Sequence, residues 1–212
     1  MKRLLLAILG ICVCLSMCGA LRMANQVSFT PDGSIVRFLD ASGRTFCSGT
    51  VISDKIIITA AHCVIVETMI GPVVLQDIVV SSASKLTKSV ANVVTASSQT
   101  DQAVLTGNFR MFPSRGVITS PEQDMAATKT DKVLISCGYP LGGDLYCTEF
   151  VVTGHEIFWI SGYSNMFPGM SGGPAIDPDT GLVVGINYAA HNNQDLITPT
   201  LEILANVDQS KL

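Results

Sequence analysis

The chain has 212 residues, 48% apolar and only 14% charged, with 18 Gly and 9 Pro, which excludes disorder, collagen and coiled coil. The length suits one large domain or two small ones, and all-β barrels and sandwiches often use about 200 residues as one unit. Net charge is −4; without Lys2 and Arg3, which sit in a segment expected to be removed, 11 bases face 17 acids, a balance of −6. No basic stripe is left to meet phosphates, so nucleic acid is excluded as a partner.

Met1-Lys2-Arg3 followed by apolar and small residues to Ala20 reads as an export signal over residues 1–20, leaving 21–212 as the working chain. Cleavage after Ala20 puts Cys18 and Ala20 at the two positions that must be small. Cleavage before Cys18 instead reads Leu15-Ser16-Met17-Cys18 as a bacterial lipoprotein signal, with a bulky Met17 and a lipidated Cys18. A third reading retains Leu4–Leu21 as an anchor, since that stretch is uncharged and just long enough to span a bilayer. The protein is therefore expected to be secreted or held at the cell envelope, with any membrane contact made only through this segment.

Beyond the signal, short runs rich in β-branched and aromatic residues alternate with turn residues. Strands are predicted at Ser34–Leu39, Ser48–Ser53, Lys55–Thr59, Val73–Val80, Val133–Ser136, Phe150–Thr153, Ile157–Ile160 and Leu182–Ile186. Turns are predicted at Pro31-Asp-Gly33, Ala41-Ser-Gly43, Leu141–Asp144 and Asp177–Gly181. Residues 81–100, rich in Ser and Thr, read as a solvated strand and loop. Thr198–Val207 alone has spacing suited to a helix. This punctuation indicates an all-β sandwich or pair of barrels rather than βαβ units.

Cys47, Cys63, Cys137 and Cys147 form an even set in an exported chain, which suggests two disulfides. Three connectivities exist, of which sequential pairing closes the shortest loops. A metal site is the weaker reading, because there is no C-x-x-C and His62, His155 and His191 are dispersed.

Three segments carry candidate chemistry. Thr59-Ala-Ala-His62-Cys63 comes directly off the apolar run Ile56–Ile58, so His62 sits at the end of a strand beside a cysteine that can pin its loop, a place suited to a general base. In Pro168-Gly-Met-Ser171-Gly-Gly-Pro174 the glycines give the backbone room to turn the N–H groups of Gly169 and Ser171 toward one point, as an oxyanion hole requires. Asp101, in Thr100-Asp-Gln-Ala-Val-Leu105, stands where a strand begins. Each has a plain structural reading when taken alone. Together they supply a nucleophile, a base and an orienting carboxylate.

On these three motifs, in this order, the chain resembles the trypsin-like (chymotrypsin-fold) serine peptidases, over about Ile35 to Asn187. Thr100–Leu105 and Val184–Asn187 look closer to the bacterial HtrA-like and glutamyl-endopeptidase branches than to digestive trypsins. The resemblance implies two six-stranded antiparallel β-barrels, divided at about residues 110–130, with the active site in the cleft between them and no stretch left over for a PDZ domain. It makes Ser171 the nucleophile, His62 the base, Asp101 the orienting carboxylate, and Gly169 and Ser171 the oxyanion donors. It also pairs Cys47 with Cys63; Cys137 with Cys147 follows from proximity only. A protein or peptide substrate is implied, with no cofactor and no metal.

Met170 stands where zymogen-type members carry an aspartate that pairs with a newly cut N-terminus, and no Ile-Val-Gly-Gly site occurs near residues 21–34. Activation by that ion pair is excluded, so the site forms on folding or its loop waits for another trigger. The specificity pocket maps onto Asn165, Met166 and Phe167 on one wall and Tyr188, Ala189 and Ala190 on the other, with His191 at the rim. No acid lies among them, so a neutral, small to medium aliphatic side chain is the expected preference. The competing reading is a catalytically silent binding protein, an adhesin or decoy on the same fold; an esterase or acyltransferase with the same triad is a third.

Overall fold

The computed structural model describes residues 33–191 and 194–205. The expected export segment, Pro31-Asp32 and the end of the expected C-terminal helix lie outside the described residues.

Fourteen strands are present among the described residues, twelve of them in two closed six-stranded antiparallel barrels. The first runs β1(Ile35–Leu39), β2(Thr45–Val51), β3(Ile56–Thr59), β6(Ile78–Ser81), β7(Lys88–Ser97) and β8(Gln102–Gly107), in the closed order β1-β2-β3-β8-β7-β6. The second runs β9(Val133–Gly138), β10(Tyr146–His155), β11(Ile160–Tyr163), β12(Pro174–Ile176), β13(Val183–His191) and β14(Gln194–Pro199), in the order β10-β11-β14-β13-β12-β9. The remaining two, β4(Ile65–Thr68) and β5(Gly71–Val74), form a separate hairpin. The first barrel ends at Gly107 and the second begins at Val133, with helix α1(Pro121–Ala127) between them.

The period-two alternation of strands places each barrel's core and the interface between barrels on opposite faces of the same strands. Val36, Phe38, Val51, Ile57 and Leu105 fill the first barrel. Leu134, Phe150, Val152, Val184 and Ile197 fill the second. The alternate residues Ile58 and Val104 turn outward, and meet Ile176, Val183, Ile186 and Ile203 of the second half. Strands buried on both faces read as unbroken apolar runs, which is why Ile56–Ile58 has no polar residue.

Several expectations change. Val73–Val80 is two strands, not one: the chain leaves β5 at Val74 and re-enters at Ile78 after Asp77, whose φ of 53° breaks an extended run. Ile157–Ile160 is a turn followed by the start of β11: the Glu156 N–H donates to the Trp159 carbonyl at 2.8 Å, and Ile157 is exposed. Residues 81–100 contain the ten-residue β7, bulged between Val93 and Thr95, joined to β6 over Lys88–Ala91 and to β8 over Ala91–Ser97. Helix α1 is an unforeseen element with a local signature, since Ser120 Oγ accepts the Gln123 N–H at 3.3 Å and Pro121 occupies its first turn. The C-terminal helix, α2(Thr200–Ala205), starts later than predicted because Thr198 and Pro199 close β14.

Among the described residues no helix is long and apolar enough to cross a membrane.

Candidate active site

Strands β3 and β8 are neighbours, with Thr59 opposite Ala103, so the chain leaving β3 and the chain entering β8 lie side by side. Leaving β3, it makes a short 3-10 turn, Ala61–Cys63, that carries His62. Cys63 is bonded to Cys47 on β2, which ties the turn to the barrel. Entering β8, Asp101 adopts φ 48°, a left-handed conformation that aspartate tolerates better than most residues. Its carboxylate holds His62 at two points: Oδ1 accepts the His62 backbone N–H at 2.8 Å, and Oδ2 pairs with Nδ1 at 2.7 Å. Asp101 is buried while the imidazole is half exposed. A carboxylate can only accept, so in the neutral ring Nδ1 is the protonated nitrogen and Nε2 the acceptor.

Ser171 comes from the second barrel, on the loop between β11 and β12. Phe167-Pro168-Gly169-Met170 is a turn closed by the Met170 N–H on the Phe167 carbonyl at 3.0 Å, with proline second and glycine third at φ 96°, the pattern of a type II turn. Gly172 follows at φ 79°, and a Cβ there would lie 2.0 Å from Thr59 Oγ1 and 2.4 Å from the Ser48 carbonyl, so only glycine lets this loop reach the first barrel. Ser48 reaches back: its N–H donates to the Ser171 carbonyl at 2.9 Å and its hydroxyl to the Gly169 carbonyl at 2.8 Å. The Ser171 hydroxyl donates to the Tyr188 carbonyl at 3.4 Å.

His62 and Ser171 line one cleft of about 510 Å³, together with Met166, Phe167, Pro168, Met170, Asn187 and Tyr188. Of the residues mapped to the pocket from sequence, Met166, Phe167 and Tyr188 are on its wall, whereas Asn165 is not among the residues lining it. Ala189 and Ala190 continue β13 opposite Leu196 and Asp195, and His191 lies opposite Gln194. Pro168, Met170 and Asn187 complete the wall without having been assigned to it from sequence. Tyr188 stands between His62, 6.3 Å away by ring centres, and Trp159, on which it stacks at 5.7 Å.

The lining has no carboxylate apart from the one behind His62. Asp195, on β14, is buried behind the wall, where it accepts from the Ser164 hydroxyl and from the Ser164 and Met166 N–H groups. Burial pushes its carboxyl above the usual range, and those hydrogen bonds offset part of the rise. Cys137 on β9 is bonded to Cys147, its direct partner on β10. The cluster Cys47, His62 and Cys63 would be a set of metal donors by distance, but both sulfurs are consumed in the disulfide.

A pair of six-stranded barrels sharing one cleft, to which each contributes a polar side chain, is the chymotrypsin-like architecture. The chain belongs to the trypsin-like peptidase domain family, which matches residues 47–186. Solved structures agree in fold. The serine endoprotease from Yersinia pestis is similar over 88% of this chain at 21% identity and a TM-score of 0.63. This chain spans 63% of that protein's length. The active form of the Rv3671c protease from M. tuberculosis is similar over 82% of this chain and 79% of its own, at 22% identity and a TM-score of 0.64. A Glu endopeptidase structure is similar over 87% of this chain and 95% of its own, at 18% identity and a TM-score of 0.66. No curated protein sequence matches the chain.

Proposed function

We propose that the protein is a serine endopeptidase that hydrolyses peptide bonds through an acyl-enzyme on Ser171. The observation that carries this is the two-point grip of Asp101 on His62, which turns the ring so that Nδ1 faces the carboxylate and Nε2 is left for the cleft that Ser171 also lines. In the first step Ser171 Oγ bonds to the scissile carbonyl carbon and its proton passes to His62 Nε2. The carbonyl oxygen becomes an oxyanion facing the Gly169 and Ser171 N–H groups. The C–N bond then breaks as His62 returns the proton to the departing amine. Water attacks the ester by the same route, releasing the acid and restoring Ser171. Asp101 keeps the ring in the tautomer that both proton transfers need.

Two disulfides fit an oxidising compartment. This supports an exported enzyme, secreted or retained at the envelope through the N-terminal segment or a lipid on Cys18, acting on protein or peptide substrates outside the cytosol.

A fluorophosphonate probe tests the reading. Ser171 is labelled in the wild type, and both labelling and peptide cleavage vanish in His62→Ala. A folded, fully disulfide-bonded protein that neither reacts with the probe nor cuts any member of a peptide library would be a silent binding protein instead.

A further inference from the structure

The segment Phe167–Pro174 contains no charged side chain, so no ion pair of its own fixes its shape. Yet this segment carries both proposed oxyanion donors. Asn187, on β13, is buried and contacts it at three residues, Met170, Gly172 and Gly173. Its amide Nδ2 donates to the Met170 carbonyl at 3.2 Å. Its backbone carbonyl accepts the Gly172 N–H and its backbone N–H donates to the Gly173 carbonyl, both at 2.8 Å. The rest of the side chain is anchored in β9: the second Nδ2 hydrogen goes to the Cys137 carbonyl at 2.8 Å, and Oδ1 accepts the Ser136 hydroxyl at 2.8 Å. Two carbonyls can only accept, so the amide has one workable orientation.

We propose that Asn187 is a positioning residue for the oxyanion hole, setting the direction of the Ser171 N–H through the peptide plane it shares with the Met170 carbonyl. A trans peptide is planar, with its C=O and N–H pointing opposite ways. Whatever holds the Met170 carbonyl toward β9 therefore drives the Ser171 N–H away from β9. Two groups hold that carbonyl, the Asn187 amide and the Gly173 N–H at 3.0 Å. The second belongs to the same glycine-rich loop and moves with it, whereas Asn187 is fixed to a strand. Asn187 also lines the cleft, but both its amide hydrogens are committed to main-chain carbonyls, so it recognises the substrate through shape and not as a donor.

This inference rests on the peptidase reading, and the test separates the two. The full chain is prepared as wild type, Asn187→Leu and Ser136→Ala, and active sites are counted by phosphonate labelling. For each labelled site, Asn187→Leu is expected to lose about 10²-fold in kcat, the cost of one misplaced oxyanion donor, beyond whatever its altered side-chain shape does to KM. Affinity for a peptide boronic acid, whose adduct carries the oxyanion, falls in parallel, while affinity for the cleaved product does not. Ser136→Ala, which frees Oδ1 and lets the amide rotate, is expected to lose roughly tenfold by the same pattern, and decides the matter if Asn187→Leu does not fold. A purely structural role would lower the melting temperature and the number of labelled sites but leave kcat per site within about threefold, and that result overturns the proposal, as does a change in KM or cleavage profile alone. If the wild type itself neither labels nor cleaves, it is the peptidase reading that falls.

Discussion

The two halves of the cleft are built differently. In the first barrel the proposed catalytic groups stand at the ends of paired strands, His62 just past β3 and Asp101 just before β8, and they touch each other directly. In the second barrel Ser171 rides on a loop whose shape depends on residues far away in sequence: Ser48 of the first barrel and Asn187 of β13. The first half is positioned by strand register and one disulfide. The second is positioned by polar contacts to main-chain carbonyls. Rigid strand ends suit a proton-transfer pair that must stay aligned, and a glycine-rich loop suits donors that must converge on a point no regular element offers.

The sharpest test of the first half is Asp101→Asn. An amide cannot accept from Nδ1–H and from the His62 backbone N–H in the present geometry without turning its NH₂ toward one of them, so the ring is driven to the wrong tautomer. A fall in kcat of about 10⁴ with little change in KM is expected from steady-state kinetics. A loss under about tenfold would remove Asp101 from the orienting role and leave the strand-end pair without a catalytic meaning.

Next in size are the disulfides, one for each half. Cys47–Cys63 closes 16 residues and Cys137–Cys147 closes 10. In the chain-entropy model each is worth about 3 kcal/mol, so paired Cys→Ser variants should lose similar stability in denaturant melts. Activity should separate them. The first bridge holds the His62 turn itself, and its loss should cut kcat well beyond the fraction unfolded. The second lies beyond Asn187, and its loss should act mainly through stability. Equal kcat losses per folded molecule would erase the contrast between the halves.

Specificity is expected to follow the second half alone, since Met166, Phe167, Pro168, Asn187 and Tyr188 all come from it. A lysine or arginine side chain entering this wall would find no counter-charge, because Asp195 is turned to Ser164 and its neighbouring N–H groups. A peptide library should show a neutral, small to medium aliphatic residue before the cut bond, favoured over Arg or Lys by about 10²-fold in kcat/KM, the scale of a few kcal/mol. A profile dominated by Arg or Lys would mean that Asp195 reaches the pocket.

What could be read from sequence divides along the same line. The barrel class, the turn-punctuated strands and the three motifs are local patterns, and each survives as a short run of neighbouring residues. His62 is legible because Ile56–Ile58 and Cys63 surround it. Ser48 and Asn187 are not legible as positioning residues, because each acts on a loop more than ten residues away and a serine or asparagine in a strand carries no mark of its partner. Val73–Val80 misled for a related reason: apolar content continues through the break, and only the backbone at Asp77 shows it. Ser120-Pro121 did carry a helix-start signature, but α1 is one turn longer than its cap and has little apolar periodicity.

The smallest effect concerns the seam where the halves meet. Arg37 of β1 is buried, lies 4.2 Å over the Tyr139 ring, and donates to the Gly142 and Gly143 carbonyls of the second barrel at 3.2 and 2.8 Å. Tyr139 returns the contact by donating its hydroxyl to the Ile35 carbonyl at 3.1 Å. Burial pushes the Tyr139 phenol up to about 12; nearby Arg37 draws it down and Asp144 adds to the rise. A folded pKa above the ordinary value means that the neutral phenol's contribution is complete below about pH 10 and is lost as pH climbs through 12. Tyr139→Phe should therefore cost about 1 kcal/mol at neutral pH, the worth of one buried hydrogen bond. It should also flatten the alkaline arm of the stability curve, which chemical denaturation at stepped pH would record. Ultraviolet titration should show one phenol in the wild type ionising only as the protein unfolds. If the variant's alkaline arm matches the wild type's, the seam is held by Arg37 and the apolar contacts alone.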